Sequence, residues 1–166
     1  ALLFNQHQPV LIHNVDILSN VDLAAFYRHA LETKADALLL VSRRVTQRYL
    51  VFDSNMRLVG WTNVATGEVK SPHAELRQLH FVSPTEAESS YFQNNCYLYA
   101  FSGVHVLAPS AVEAVEAVDK DKFPIMEFYL NNCDRLDIRG ELKTDLHLLD
   151  VGKLDSLQAA EDFIAN

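Results

Sequence analysis

The sequence predicts an α/β fold, with a mixed, mainly parallel sheet between two layers of helix and an antiparallel hairpin attached. Three observations predict it. Apolar, β-branched runs of strand length at residues 10–15 and in "DALLLVSR" read as buried strands. Between them Leu23, Phe26, Tyr27, Ala30 and Leu31 recur at helical spacing. Further on, "RYLVFD" and "RLVGWTN" alternate around Ser54 and Asn55 as the arms of a hairpin do. Strand, helix and strand in that order make a βαβ crossover, so the expected architecture is a Rossmann-like three-layer α/β/α sandwich.

The elements follow in order. The strand at 10–15 is expected to be buried on most of both faces. Asn20 and Asp22 then offer capping oxygens for a helix running to about Thr33. "ATGE" at 65–68 is a turn in which Gly67 is free to take positive φ. Residues 71–92 are polar and irregular, and read as a mobile connection. "NCYLYAFSGVHVLAP" is a long strand interrupted at Ser102 and Gly103. Pro109 starts a helix carrying Ala111, Val112, Val115 and Val118; Pro124 starts another with Met126, Tyr129 and Leu130 inward. "LHLLDVG" is the last strand, and a helix over about 155–164 closes the chain. Without an internal repeat or a Ser/Gly linker, residues 1–166 read as part of one domain.

Composition narrows the function. A length of 166 residues with 49% hydrophobic content can bury a core. The formal net charge of -8 argues against a nucleic-acid backbone as the main partner, because that contact needs a basic face. No apolar run approaches membrane-spanning length, and "ALLFNQHQP" lacks the pattern of a signal peptide. Cys96 and Cys133 are too few for a disulfide framework and read as reduced core thiols of a cytoplasmic protein. The chain opens without methionine, on what looks like the tail of a helix, so an upstream segment is expected.

Two acids carry the chemical signal. Asp16 ends one apolar run, and Asp150 in "LLDVG" ends another. Ligands collect outside the carboxyl ends of strands in open α/β sheets. Two carboxylates on neighbouring strands there suit Mg²⁺, which prefers one or two carboxylates plus phosphate oxygens and waters. The plainer reading of each acid is a turn or cap. Ser102-Gly103 inside a good strand marks a bulge or a close backbone approach to a ligand, or else a simple kink. Arg43, Arg44 and Arg48 in "SRRVTQR" offer cations to phosphates, or else form a solvated loop. The seven histidines show no zinc spacing, and no GxSxG elbow, Walker loop or CxxC occurs.

The blocks "VLIHNVDIL", "YAFSGVHVL" and "LLDVGKLDSLQAAEDF" resemble, in order, three blocks of the sugar-1-phosphate nucleotidyltransferases. "DVGKLDSL" resembles that family's closing D-[IV]-G-x-x-x-x-[LY] motif. The nearer likeness is to the short bacterial type that includes N-acetylmuramate-1-phosphate uridylyltransferase and mannose-1-phosphate guanylyltransferase-like proteins. The resemblance implies attack of a sugar 1-phosphate on the α-phosphate of a nucleoside triphosphate, releasing pyrophosphate. It implies that Asp16 and Asp150 hold a catalytic Mg²⁺. It also implies that Asn14 orients the ribose or metal-bound waters, and that Ser102 and Gly103 line the sugar pocket. Uridylyl transfer to an amino-sugar or muramate 1-phosphate is favoured over guanylyl transfer to mannose 1-phosphate.

The departures have consequences. The family's Gly-rich triphosphate loop and its lysine are not in this sequence, and "GWTNVATGE" stands where many relatives carry E-K-P. The chain thus resembles the carboxyl-terminal part of such a domain, with amino-terminal strands missing. These residues alone are expected to release no pyrophosphate, and an apolar edge where strands are missing favours a homo-oligomer. A non-catalytic binding module of the same fold is the main alternative, against which both acids speak. A metal-dependent glycosyltransferase using "DKD" at 119–121 is the weakest, since that triplet follows no apolar strand.

Overall fold

The structure, a computed structural model, describes residues 8–85, 87–118, 123–152 and 161–163. In chain order these residues form β1 (Val10–His13), β2 (Ile17–Ser19), α1 (Leu23–Thr33), β3 (Ala37–Ser42), β4 (Arg48–Phe52), β5 (Leu58–Asn63) and β6 (Glu68–Lys70). Then come β7 (Phe92–Gln93), β8 (Cys96–Leu107), α2 (Pro109–Glu116), α3 (Ile125–Asn132), β9 (Ile138–Leu142) and β10 (Leu148–Asp150).

The main sheet has the order β6-β5-β4-β8-β3-β9. Long β8 is its axis. One edge of β8 carries β3 and β7, and the other carries β4 and β1. By their pairings, β1, β3, β4, β6, β7 and β9 run one way and β5 and β8 the other. The sheet is therefore mixed and mainly parallel in direction. Only β3 and β9 are hydrogen-bonded as a parallel pair in it, because β8 lies between the two strands of the β1-α1-β3 crossover.

Period-two alternation on β3 makes the three layers. Ala37, Leu39 and Val41 join the core that α2 and α3 cover with Ala111, Val112, Phe128 and Tyr129. Leu38 and Leu40 face the other way, onto Phe26 and Ala30 of α1 together with Val104 and Val106 of β8. Helix α1 starts where the Asp22 carboxylate accepts from the Ala25 amide at 2.9 Å and stops at Lys34, a left-handed residue with φ 55°. Leu23 and Leu31, expected on its apolar face, are instead exposed. Pro109 opens α2 and Pro124 caps α3, as expected. Both cysteines are buried free thiols, and burial pushes Cys133 up to about 11. No described helix is long and apolar enough to cross a membrane.

Three expectations need correction. Strand β1 ends at His13, its four residues are half-buried rather than buried, and Val15 is fully exposed because the chain turns there. Residues 71–92 are not a loose connection. Phe81 and Tyr91 sit in the core, and the Gln93 side chain accepts from the Val82 amide at 3.0 Å and donates to the Val82 carbonyl at 2.9 Å. "LHLLDVG" yields only the three residues of β10, and they stand outside the main sheet. Of the closing helix, residues 161–163 are described and helical; the rest of it, and "DKD", lie outside the described residues.

Strand β9 was not anticipated. Its Gly140 has no room for a side chain: a Cβ there would lie 2.8 Å from two ring atoms of Phe52 and 3.1 Å from Met56 Cε. Phe52 is fully buried, so the ring has nowhere to go. Gly140→Ala is expected to destabilise the fold by roughly 1–3 kcal/mol through overpacking, lowering Tm by several degrees in a thermal melt. An unchanged Tm would show that the ring yields freely.

Candidate functional site

Three strands change at one stretch of β8. Strand β1 stops opposite Val104, β3 stops opposite Ala100, and β4 pairs only from Tyr99 onward. Between them Ser102 and Gly103 kink the strand. Gly103 has φ +81°, and the place of its missing Cβ is taken by the side chain of Asn14, whose Nδ2 would be 2.6 Å from that atom. The Asn14 amide donates to the Gly103 carbonyl at 3.1 Å. Glycine is thus required twice, for the left-handed backbone and for the approach of Asn14. The strand is kinked there, and what approaches Gly103 closely is the chain's own Asn14.

Ser102 does not face outward. Its hydroxyl is buried, donates to the Leu40 carbonyl at 2.7 Å and accepts from the Val104 amide at 3.2 Å. It thereby fastens β8 to β3 where their register shifts between Leu39 and Val41. A direct sugar contact from this hydroxyl does not fit its burial.

The acids are brought together by a second, small sheet. Strands β2 and β10 pair antiparallel, with Asp150 opposite Ile17, so Asp16 and Asp150 meet at the open end of that ladder. This differs from the expected arrangement on the ends of neighbouring parallel strands. The Val151 amide donates to the Asp16 carbonyl at 2.8 Å, and the Gly152 amide donates to Asp150 Oδ1 at 2.9 Å. Asn20, expected as a helix cap, is instead the staple. Its Oδ1 accepts from the His147 amide at 2.9 Å, and its Nδ2 donates to the Asp145 carbonyl at 2.9 Å. His13 braces the turn between β1 and β2, Nδ1–H donating to the Asn14 carbonyl at 2.6 Å.

Gly152 completes the geometry. A Cβ built on it would lie 3.2 Å from Asp150 Oδ1 and 3.5 Å from Asp16 Oδ2. Both carboxylates therefore reach one small exposed space that the bare glycine leaves open. Among the described residues no third His, Cys, Asp or Glu joins them. Two carboxylate oxygens with open positions for water and ligand oxygens fit Mg²⁺, and lack the nitrogen or sulfur donors of a zinc site. The structure brings Asp16 and Asp150 together and sets Asn14 against Gly103; the stapling role of Asn20 leaves no local signal in the sequence. The role of Gly152 was signalled only by its place two residues after Asp150.

The loop after β3 holds the cations. Arg43 is paired with Glu88 at 2.5 Å, and its carbonyl accepts from the Tyr91 hydroxyl. Arg44 and Arg48 are exposed, and their guanidinium groups have no hydrogen-bond or ion-pair partner among the described residues. Arg44 borders two cavities. One of about 720 Å³ lies against β10, with Thr144 and His147 in its wall. The other, of about 230 Å³, lies under the loop.

No family model matches the sequence, and no curated protein matches it. Solved structures do. The chain is similar to a protein provisionally designated a glucose-1-phosphate thymidylyltransferase from Bacillus anthracis, solved in complex with sucrose. The TM-score is 0.58 at 12% identity, over 95% of this chain and 55% of that one. It is also similar to HddC from Yersinia pseudotuberculosis, with TM-score 0.56 at 15% identity, over 94% of this chain and 56% of that one. The likeness is one of fold, and the chain spans about half the length of these structures.

Proposed function

We propose that this chain is the metal-holding part of a sugar-1-phosphate nucleotidyltransferase that transfers a uridylyl group to an amino-sugar or muramate 1-phosphate. The observation that carries the reading is the convergence of Asp16 and Asp150 on the space above Gly152. It occurs in a chain whose fold is shared with a protein designated a glucose-1-phosphate thymidylyltransferase. The choice of uridylyl transfer rests on the sequence blocks around Asp16, Gly103 and Asp150, which resemble the muramate enzyme.

In the reaction a phosphate oxygen of the sugar 1-phosphate forms a bond to the α-phosphorus, and the bond to the departing pyrophosphate breaks. Such displacement depends on positioning and charge neutralisation, and needs no protein nucleophile. Asp16 and Asp150 would hold Mg²⁺, which when bound offsets negative charge on the reacting phosphates. Asn14, fixed by its bond to Gly103 and by the packing of its side chain there, presents an amide to the ribose or to metal-bound water. Gly103 faces the sugar through its backbone, and Ser102 supports it from beneath.

Binding of Mn²⁺ to the chain, followed by electron paramagnetic resonance, tests the site directly. One ion per chain is expected, with affinity lowered at least roughly tenfold in Asp16→Asn and in Asp150→Asn. Unchanged binding in both variants would remove the metal from the proposal. Pyrophosphate release by a longer protein containing this chain, tested with UTP and GTP against a panel of sugar 1-phosphates, decides the transferred group.

A further inference from the structure

The small sheet that carries the acids cannot set its own register. It has two strands and three facing pairs: Ile17 with Asp150, Leu18 with Leu149 and Ser19 with Leu148. A two-stranded ribbon of that length is marginal in water, and a slip of one residue would turn each side chain to the opposite face. Packing does not supply the missing constraint. No residue of β2 or β10 belongs to either buried core cluster or to the partly buried side chains packed on them. At the end beside the acids, the ladder is continued by the backbone bond from the Val151 amide to the Asp16 carbonyl, at 2.8 Å.

The other end is held by one residue. The Asn20 backbone amide donates to the His147 carbonyl at 3.3 Å, its Oδ1 accepts from the His147 amide at 2.9 Å, and its Nδ2 donates to the Asp145 carbonyl at 2.9 Å. One carboxamide thus matches a donor and an acceptor two residues apart on the facing segment, and a strand shifted by one residue presents neither in place. We propose that Asn20 is a positioning residue for the metal site. By locking β2 in register with β10 it sets the separation of the Asp16 and Asp150 carboxylates, and with it the preference of the site for Mg²⁺ over Ca²⁺. Mg²⁺ demands near-ideal octahedral geometry at short oxygen distances, whereas Ca²⁺ accepts a larger and looser set. An unlocked ladder therefore costs Mg²⁺ more than Ca²⁺. The inference rests on the metal reading proposed above for what the acids hold, and on the hydrogen bonds of Asn20 for its geometry.

Asn20→Ala removes both side-chain bonds and leaves the backbone bond to His147. Asn20 is exposed and neither strand enters the core, so circular dichroism and Tm should change little. Exchange of the Val151 amide, followed by nuclear magnetic resonance without metal, is expected to quicken about tenfold, the scale of one to two lost hydrogen bonds. Mn²⁺ affinity, read by electron paramagnetic resonance, is expected to fall roughly tenfold. Competition of Mg²⁺ and of Ca²⁺ against bound Mn²⁺ gives the decisive readout: the preference for Mg²⁺ should fall several-fold in the variant. A residue that merely held the fold would weaken both ions alike. Unchanged exchange would show that the ladder does not need the staple. Quickened exchange with unchanged Mn²⁺ affinity, or with the same Mg²⁺-to-Ca²⁺ preference, would show that register does not govern the site. Each of these results overturns the role of Asn20 while the acids keep theirs. A native chain that binds no Mn²⁺ retires the metal reading itself, and this role with it.

Discussion

Gly152→Ala is expected to weaken metal binding while leaving both carboxylates and the fold in place. The added methyl would stand 3.2 Å from Asp150 Oδ1 and 3.5 Å from Asp16 Oδ2, in the space between the two carboxylates. Gly152 is exposed and lacks the left-handed φ that bars side chains at Gly67 and Gly103, so the backbone accepts alanine without strain. Losses from Asp16→Asn or Asp150→Asn confound charge with shape; a methyl removes no charge. Mn²⁺ affinity is expected to fall by at least roughly tenfold, the scale on which misplacing a metal's ligands is felt. Tm should stay within about a degree, as for a surface change away from special contacts. Should affinity persist with Tm unchanged, the ion, if bound at all, sits elsewhere on these carboxylates, and Gly152 is a turn residue only.

How much of this was legible depends on whether the determinant is local. The strands β3, β4, β5 and β8 declare themselves because each is apolar or strictly alternating, and their burial follows the same pattern. Strand β9 gives a weak signal in "IRGEL", whose alternation rests on two apolar residues, Ile138 and Leu142, with Gly140 between them. What holds it is remote: parallel pairing to β3, the fit of Gly140 against Phe52, and the Arg139 guanidinium on Asp137 at 2.8 Å. A strand whose reasons lie in other segments gives little signal in its own.

The site divides in the same way. Asp16 and Asp150 stand out as acids at the ends of apolar runs, and Gly103 as a glycine inside a strand. Their adjacency has no local trace. It depends on a three-residue ladder between segments more than a hundred residues apart, stapled by Asn20 to the His147 and Asp145 backbone. Parallel neighbours are the natural guess from two strand-end acids. The chain reaches the same convergence through antiparallel pairing of β2 and β10 outside the main sheet, while within it β8 separates β1 from β3 and β9 takes the other flank of β3.

Acidification is expected to weaken the fold through one residue in the axis strand. His105 is 2% exposed, its Nδ1 is hydrogen-bonded to the Tyr129 hydroxyl, and Phe101 meets its ring edge-on at 5.5 Å. Burial lowers its pKa from 6.5 to about 4. A histidine kept neutral in the folded state contributes stability that is fully present above pH 6.5 and is lost as pH falls towards 4, because the unfolded chain takes up the proton first. The full difference corresponds to about 3 kcal/mol, of which about 2 kcal/mol is gone by pH 5. Denaturant unfolding at pH 7 and pH 5, on the native chain and on His105→Leu, isolates it. The variant starts less stable, since it leaves the Tyr129 hydroxyl without its partner, and should show a correspondingly smaller loss between the two pH values. Parallel losses in both proteins would transfer the effect to other groups. Phe101, which packs against His105, also lines the cavity that Arg44, Arg48 and Trp61 border. Trp61 fluorescence across this pH range should therefore move together with unfolding of the native chain.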